Sequence, residues 1–151
     1  MRKLLKVAAC LVLILAFGLL AIMPVQAPQA GYVHSLGYWR THNTYADVPA
    51  LREPWPIVED SRMCDMTFFE IVTTPTEGCA WRILAQQYIV AILNALNGAD
   101  VPPDVYQAMS DAQQLLWSCP VPVEDREYAI SLAEILTAYN EGLLGPPPYP
   151  D

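Results

Sequence analysis

The stretch Leu84-Ala-Gln-Gln-Tyr-Ile-Val-Ala-Ile-Leu-Asn-Ala-Leu-Asn-Gly98 is apolar on nearly every side. A helix with no contrast between a dry and a wet face has to be surrounded by protein, so this stretch predicts a central helix on which the rest of the chain packs. It is too short, and too interrupted by Gln86, Gln87 and Asn94, to cross a bilayer, which takes about 20 apolar residues. We expect the helix to run over 80–97. Thr76 is placed to cap its start, Glu77 suits the positive end of its dipole, and Gly98 ends it. The three amides set a requirement of their own, because a buried amide without partners costs about 1 to 3 kcal/mol. The segment that precedes the helices is the expected supplier, since its backbone groups have no sheet or helix to pair with.

Downstream, Val101-Pro102-Pro103-Asp104 is a break followed by a helix start. Val105, Ala108, Met109, Ala112, Leu115 and Leu116 then recur on one helical face, which should pack antiparallel on the central helix across a loop of about five residues. Cys119-Pro120-Val121-Pro122 is a stiff connector. Glu124, Asp125 and Glu127 open a last helix with an apolar stripe of Tyr128, Leu132, Ile135, Leu136 and Tyr139, closed by Gly142. The ending Gly145-Pro146-Pro147-Pro148-Tyr149-Pro150 reads as a short extended, polyproline-like tail. Upstream, residues 65–72 carry Met66, Phe68, Phe69 and Ile71 and predict a two-turn helix. Residues 31–60 follow neither a helical nor a strand period and hold three prolines. They also carry Tyr32, Tyr38, Trp39, Tyr45 and Trp55, rings that bury large areas once they find a surface. An irregular arm with about one helical turn, wrapping the helices, is expected. The fold class is therefore all-α, a small antiparallel bundle of about four helices around a buried central one.

The N-terminus is set apart from this domain. Arg2, Lys3 and Lys6 precede an apolar run over 7–23, and small residues follow at Ala27 and Ala30, the form of a secretory signal. Cleavage after Ala27 leaves Pro28 just beyond the cut; left uncleaved, the 20 residues from 4 to 23 are long enough to anchor the chain in a membrane. The domain division is 1–27 as signal, 31–145 as one helical domain and 146–151 as tail. Beyond the leader the chain has no lysine and sets five basic against 16 acidic residues, a balance of -11. Nucleic acid is excluded as a partner, because affinity for phosphate comes mainly from Lys and Arg. Of Cys64, Cys79 and Cys119, the helix order favours a Cys79–Cys119 disulfide, at one end of an antiparallel helix pair, with Cys64 left over. Such a bond fits an oxidising compartment.

Gly37-Tyr38-Trp39-Arg40-Thr41-His42-Asn43 is the densest run of functional-looking chemistry. Aromatics supply rigid contact area and Arg a planar fork for carboxylates, so Tyr38, Trp39, Arg40 and His42 are the candidate binding residues. The competing reading has Tyr38 and Trp39 plugging the core while His42 bonds a helix terminus or a core amide. His34 and His42 match no standard zinc spacing, and no metal or other cofactor is expected. The serines at 35, 61, 110, 118 and 131 lie in no nucleophile-elbow context. The pairs Asp104/Asp111 and Glu127/Glu134 read as solvated faces, and no calcium-binding loop is present.

Three segments together resemble a functionally uncharacterised secreted domain that recurs in extracellular proteins: Gly37-Tyr38-Trp39-Arg40-Thr41-His42; Leu84-Ala85-Gln86-Gln87-Tyr88-Ile89-Val90-Ala91-Ile92-Leu93-Asn94; and Tyr139-Asn140-Glu141-Gly142. Members of that family read roughly Gly-Tyr-Trp-Lys-Thr-His, Leu-Ala-His-Gln-x-Ile-Ala-Ala-x-Leu-Asn and Tyr-Asn-Asn-Gly. The resemblance spans about residues 35–145 and implies location and architecture rather than activity. This chain departs from the pattern at Arg40, at Gln86 where the family commonly has His, and at Glu141, and it lacks the cysteine that often follows the final Gly. The resulting expectation is an exported, acidic, non-catalytic binding module whose partner is an extracellular or surface protein or a glycan, touching the membrane only through an uncleaved leader. Two alternatives stand beside it: a metal-dependent or hydrolytic enzyme using His42 with a carboxylate, and a membrane-anchored structural envelope protein.

Overall fold

A computed structural model describes residues 31–57 and 59–150; the signal or anchor expected at 1–27 lies outside the described residues. Five α-helices appear among them: α1 (Leu36–Thr41), α2 (Phe68–Thr73), α3 (Ala80–Leu96), α4 (Pro103–Leu116) and α5 (Arg126–Asn140). With them is a two-stranded antiparallel hairpin, β1 (Arg62–Met63) and β2 (Met66–Thr67). The protein is mostly helical, and no helix among the described residues is long and apolar enough to cross a membrane.

The central stretch folds as its composition dictates. Leu84, Ala85, Ile89, Val90, Ala91, Leu93 and Asn94 of α3 are fully buried, and Asn97 and Gly98, with Gly98 at φ 94°, end the helix. Its start differs from the expectation. Thr76 does not cap it with its hydroxyl; Cys79 is the capping residue, without a side-chain bond, and the Thr76 carbonyl accepts from the Cys79 N–H at 2.9 Å. The chain turns through left-handed backbone at Glu77 and Gly78 before α3 begins, and this turn moves Thr76 away from the capping position.

Trp81, at the start of α3, donates its indole N–H to the Leu116 carbonyl at the end of α4 at 3.4 Å, so these two helices run antiparallel. Arg126, at the start of α5, donates to the Gly78 carbonyl just before α3, while Asn140, at the end of α5, meets Gln87 near the middle of α3 and Asn94 in its last turn. α5 therefore runs in the same direction as α3. The apolar face of α4 is the expected one, with Val105, Ala108, Ala112 and Leu116 buried. That of α5 is rotated: Ala129, Leu132, Ala133, Leu136, Tyr139 and Asn140 are buried, whereas Tyr128 and Ile135 are exposed. Two alanines let the helix lie close to its neighbours, and the larger Tyr128 turns outward to donate to Asp111 at 2.9 Å. Glu124 and Asp125 form a 3-10 turn ahead of α5 rather than its first turn.

Residues 65–67 are not helical. The hairpin pairs Met63 with Met66 and Arg62 with Thr67, and α2 starts only at Phe68. Its start is set by a capping box: Thr67 Oγ1 accepts from the Glu70 N–H at 3.1 Å and the Glu70 carboxylate accepts from the Thr67 N–H at 2.7 Å. The hairpin also changes the disulfide. Its tip carries Cys64 to Cys119 beyond α4, and these two are bonded, with a Cα–Cα separation of 6.2 Å, leaving Cys79 exposed and free. Cys79 does lie at the same end as Cys119, as the helix order requires, but the hairpin reaches Cys119 instead.

The arm wraps the helices, burying Val33, Trp39, Ala46 and Trp55. The tail does not end free. Tyr149 N–H donates to the Val33 carbonyl at 2.9 Å and Val33 N–H to the Pro147 carbonyl at 3.1 Å, so the tail runs parallel beside the arm.

Candidate functional site

The three segments that carry the family resemblance meet in one hydrogen-bonded network. Ser35 caps α1 by accepting from the Tyr38 N–H at 3.2 Å, which sets Trp39 inward. Its indole N–H donates to Asn94 Oδ1 at 3.1 Å, and the same oxygen accepts from the His34 N–H at 2.8 Å. Asn94 Nδ2 donates to the His34 carbonyl at 3.0 Å and to Asn140 Oδ1 at 3.1 Å. Asn140 Nδ2 in turn donates to the backbone carbonyl and side-chain oxygen of Gln87, each at 3.0 Å. Every polar atom of the Asn94 carboxamide is thereby satisfied inside the core, as a buried amide demands.

Gln86 and Arg40 work together about two turns of α3 back from Asn94. Gln86 Nε2 donates to the carbonyls of Ile71 and Thr74 at 2.8 and 2.6 Å, and its Oε1 accepts from Arg40 Nη2 at 3.2 Å. Arg40 Nε donates to the Val72 carbonyl at 2.7 Å. Together they satisfy carbonyls at the C-terminal end of α2, which no helical bond can reach. Of the three core amides, then, the arm supplies partners to Asn94 and part of those of Gln86, while Gln87 is met by α5.

Tyr38 and His42 belong to a column of rings. His42 stacks on Tyr38 with centroids 4.0 Å apart, Tyr38 on His34 at 3.9 Å, and His34 on Tyr149 at 4.9 Å. His42 Nδ1 lies 3.1 Å from both the Tyr38 carbonyl and the Thr41 hydroxyl. Tyr38 donates its hydroxyl to Glu53 at 3.0 Å. Burial, followed by this carboxylate, pushes the Tyr38 phenol up to about 12. Burial holds the His34 imidazole below its ordinary 6.5; the neighbouring His42 acts in the same direction and Glu53 opposes it. Of the four candidate binding residues, the structure thus buries Trp39, half-buries Tyr38 and His42 within the column, and leaves Arg40 exposed apart from its bonds to α2 and Gln86. No group of three or more His, Cys, Asp or Glu among the described residues could hold a metal ion.

A further hollow lies elsewhere. A cleft of about 510 Å³ opens between the hairpin, α2, α3 and α4, walled by Met63, Phe68, Tyr88, Ile92 and Leu116, with the Cys64–Cys119 bond along one side. Trp117, 81% exposed, stands at its edge beside Gln113 and Arg62. Binding sites have this character, an apolar interior with a few polar groups at the mouth. Sequence reasoning missed it because residues 65–67, the second half of the hairpin that builds one wall, fall inside the stretch expected to be helical. The available signal was Trp117, which lies off the apolar face of α4 and just ahead of the Cys119-Pro120-Val121-Pro122 connector.

No family model, no curated protein and no solved structure matches the chain.

Proposed function

We propose that the protein is an exported, non-catalytic binding module that docks an extracellular protein partner by seating apolar side chains in the cleft beside the Cys64–Cys119 bond. The observation that carries this reading is the cleft itself, with a large indole at its mouth. Binding energy at protein interfaces concentrates where an aromatic or aliphatic anchor enters a desolvated pocket, and the exposed Trp117 at the rim of an apolar hollow supplies such an aromatic. Export is supported by the leader-like N-terminus and by a disulfide, which forms and persists in oxidising compartments. Membership in the secreted helical family, and with it the small bundle around a central helix, is supported by the way the three shared segments converge on Asn94: a motif set that assembles one network is what a common scaffold would retain. On this reading Tyr38, Trp39, Arg40 and His42 hold the arm against the helices.

The test uses 1-anilinonaphthalene-8-sulfonate, an apolar probe with one anionic group. It should bind the folded, oxidised protein saturably at one site per chain. Trp117→Ala and Ile92→Trp, which remove the rim and fill the cleft, should each abolish that signal while Tyr38→Ala leaves it in place. Loss of binding in Tyr38→Ala alone would place the site at the ring column. Location is tested by sequencing the N-terminus of the protein recovered outside the cell.

A further inference from the structure

Glu59 is buried, 6% exposed, yet its two carboxylate oxygens are treated very differently. Oε1 accepts three hydrogen bonds, from the Thr44 N–H at 3.0 Å, the Thr44 hydroxyl at 3.1 Å and the Trp55 N–H at 3.1 Å. Oε2 is buried and has no partner. A carboxylate oxygen withdrawn from water without a donor is costly, and Glu59 is one of the residues that line a neighbouring hollow. A hollow of about 430 Å³ is walled by Thr44, Tyr45, Trp55, Glu59 and Asp60, with no basic residue in its lining. Asp60 adds a second carboxylate, which already accepts from the Tyr45 hydroxyl at 2.9 Å.

We propose that this hollow binds an alkylammonium group, its N–H donors meeting Glu59 Oε2 and the Asp60 carboxylate while the rings of Tyr45 and Trp55 flank the cation. The faces of such rings favour a desolvated cation. An ammonium fits better than a guanidinium, because the planar fork of the latter takes both oxygens of one carboxylate and Glu59 Oε1 is already saturated. The protein's acidic balance, with net charge -8 over the whole chain, raises the local concentration of any cationic ligand. The group has two chemical sources, a free amine or a lysine side chain of a partner. The second source extends the docking reading, since Ile57 lines both this hollow and the apolar cleft, so one partner could reach both. The ammonium site itself stands without that reading.

The test is a titration of the oxidised protein with butylammonium chloride at constant ionic strength, read at the backbone amides of Thr44 and Trp55, both of which bond Glu59. These signals should shift saturably, sodium chloride should not move them, and butylguanidinium should bind at least three-fold more weakly. Glu59→Gln, which keeps an acceptor for Thr44 and Trp55, should lower the apparent affinity at least ten-fold. Asp60→Asn, at the rim, should lower it about three-fold with an unchanged melting temperature, and it serves as the second reading should Glu59→Gln fail to fold. Equal shifts with sodium chloride, or an affinity indifferent to Asp60→Asn, would overturn the proposal. A blocked Ala-Lys-Ala peptide binding more tightly than butylammonium would identify a protein lysine as the source, and the reverse order a free amine. Failure of the cleft reading would leave the butylammonium result untouched.

Discussion

At Asn94 a single carboxamide meets His34 twice, Trp39 and Asn140. Asn94→Ala strands all of those groups in the core, and we expect a loss of about 3 kcal/mol or more, lowering the melting temperature by on the order of 10 °C. Trp39→Phe removes one donor and leaves a small cavity in the core, so it should cost about 2 kcal/mol by denaturant titration. A pH dependence belongs to this scale as well. Because burial keeps folded His34 below 6.5, the unfolded chain binds the extra proton. Its contribution is whole above 6.5, declines as pH falls from there towards the folded value, and levels off below it. Melting temperatures measured between about pH 7.5 and about pH 5 should therefore fall on acidification, and His34→Gln should flatten that fall. An equal slope in both proteins would contradict the assignment.

Elements that announce themselves by periodicity or by a stop residue were legible: α3, α4, and the C-terminal ends of α3 and α5 at Gly98 and Gly142. The hairpin was not, because two-residue strands have no period to read, and the apolar spacing of Met66, Phe68, Phe69 and Ile71 imitates a helical face. The Thr67-x-x-Glu70 pattern was the stronger signal there, since a capping box fixes where a helix begins. The ordered tail was also illegible, because its partner is the backbone of Val33, more than 100 residues away. Gly142 ties that tail to α5. It sits at φ 73°, and a Cβ there would come 2.5 Å from Pro148 Cδ. Gly142→Ala should cost about 1–2 kcal/mol from the left-handed backbone alone and more through displacement of the tail, seen as faster proteolysis after residue 145. Gly98→Ala shares the left-handed backbone, at φ 94°, but its Cβ would meet nothing within 4 Å. It should show the first effect without the second.

For the molecule as a whole, the Cys64–Cys119 bond spans 55 residues and links the hairpin to the far end of α4. Loop-closure reasoning gives it about 4 kcal/mol, so Cys119→Ser should reduce the denaturation midpoint strongly, while Cys79→Ala, which removes an exposed free thiol that makes no capping bond, should leave it nearly unchanged. The sequence made the ring-rich motif conspicuous because aromatic, cationic and imidazole groups are adjacent in it. It could not show that these groups face one another and the core, nor that hairpin, α2, α3 and α4 enclose a cleft, because both facts depend on contacts between distant segments. Glu59 was equally silent, one acidic residue among 16 until its neighbours were in place.

The division of labour between scaffold and site is open to one direct measurement. The four tryptophans give four indole N–H signals in a proton–nitrogen correlation spectrum, and their positions report on separate parts of the molecule. Titration with 1-anilinonaphthalene-8-sulfonate should shift the Trp117 indole at the mouth of the cleft, with the buried Trp39 and Trp55 indoles unmoved on their partners Asn94 and His42. Movement of Trp39 or Trp55 with Trp117 unchanged would mean that the ring column is the binding surface and the cleft is not.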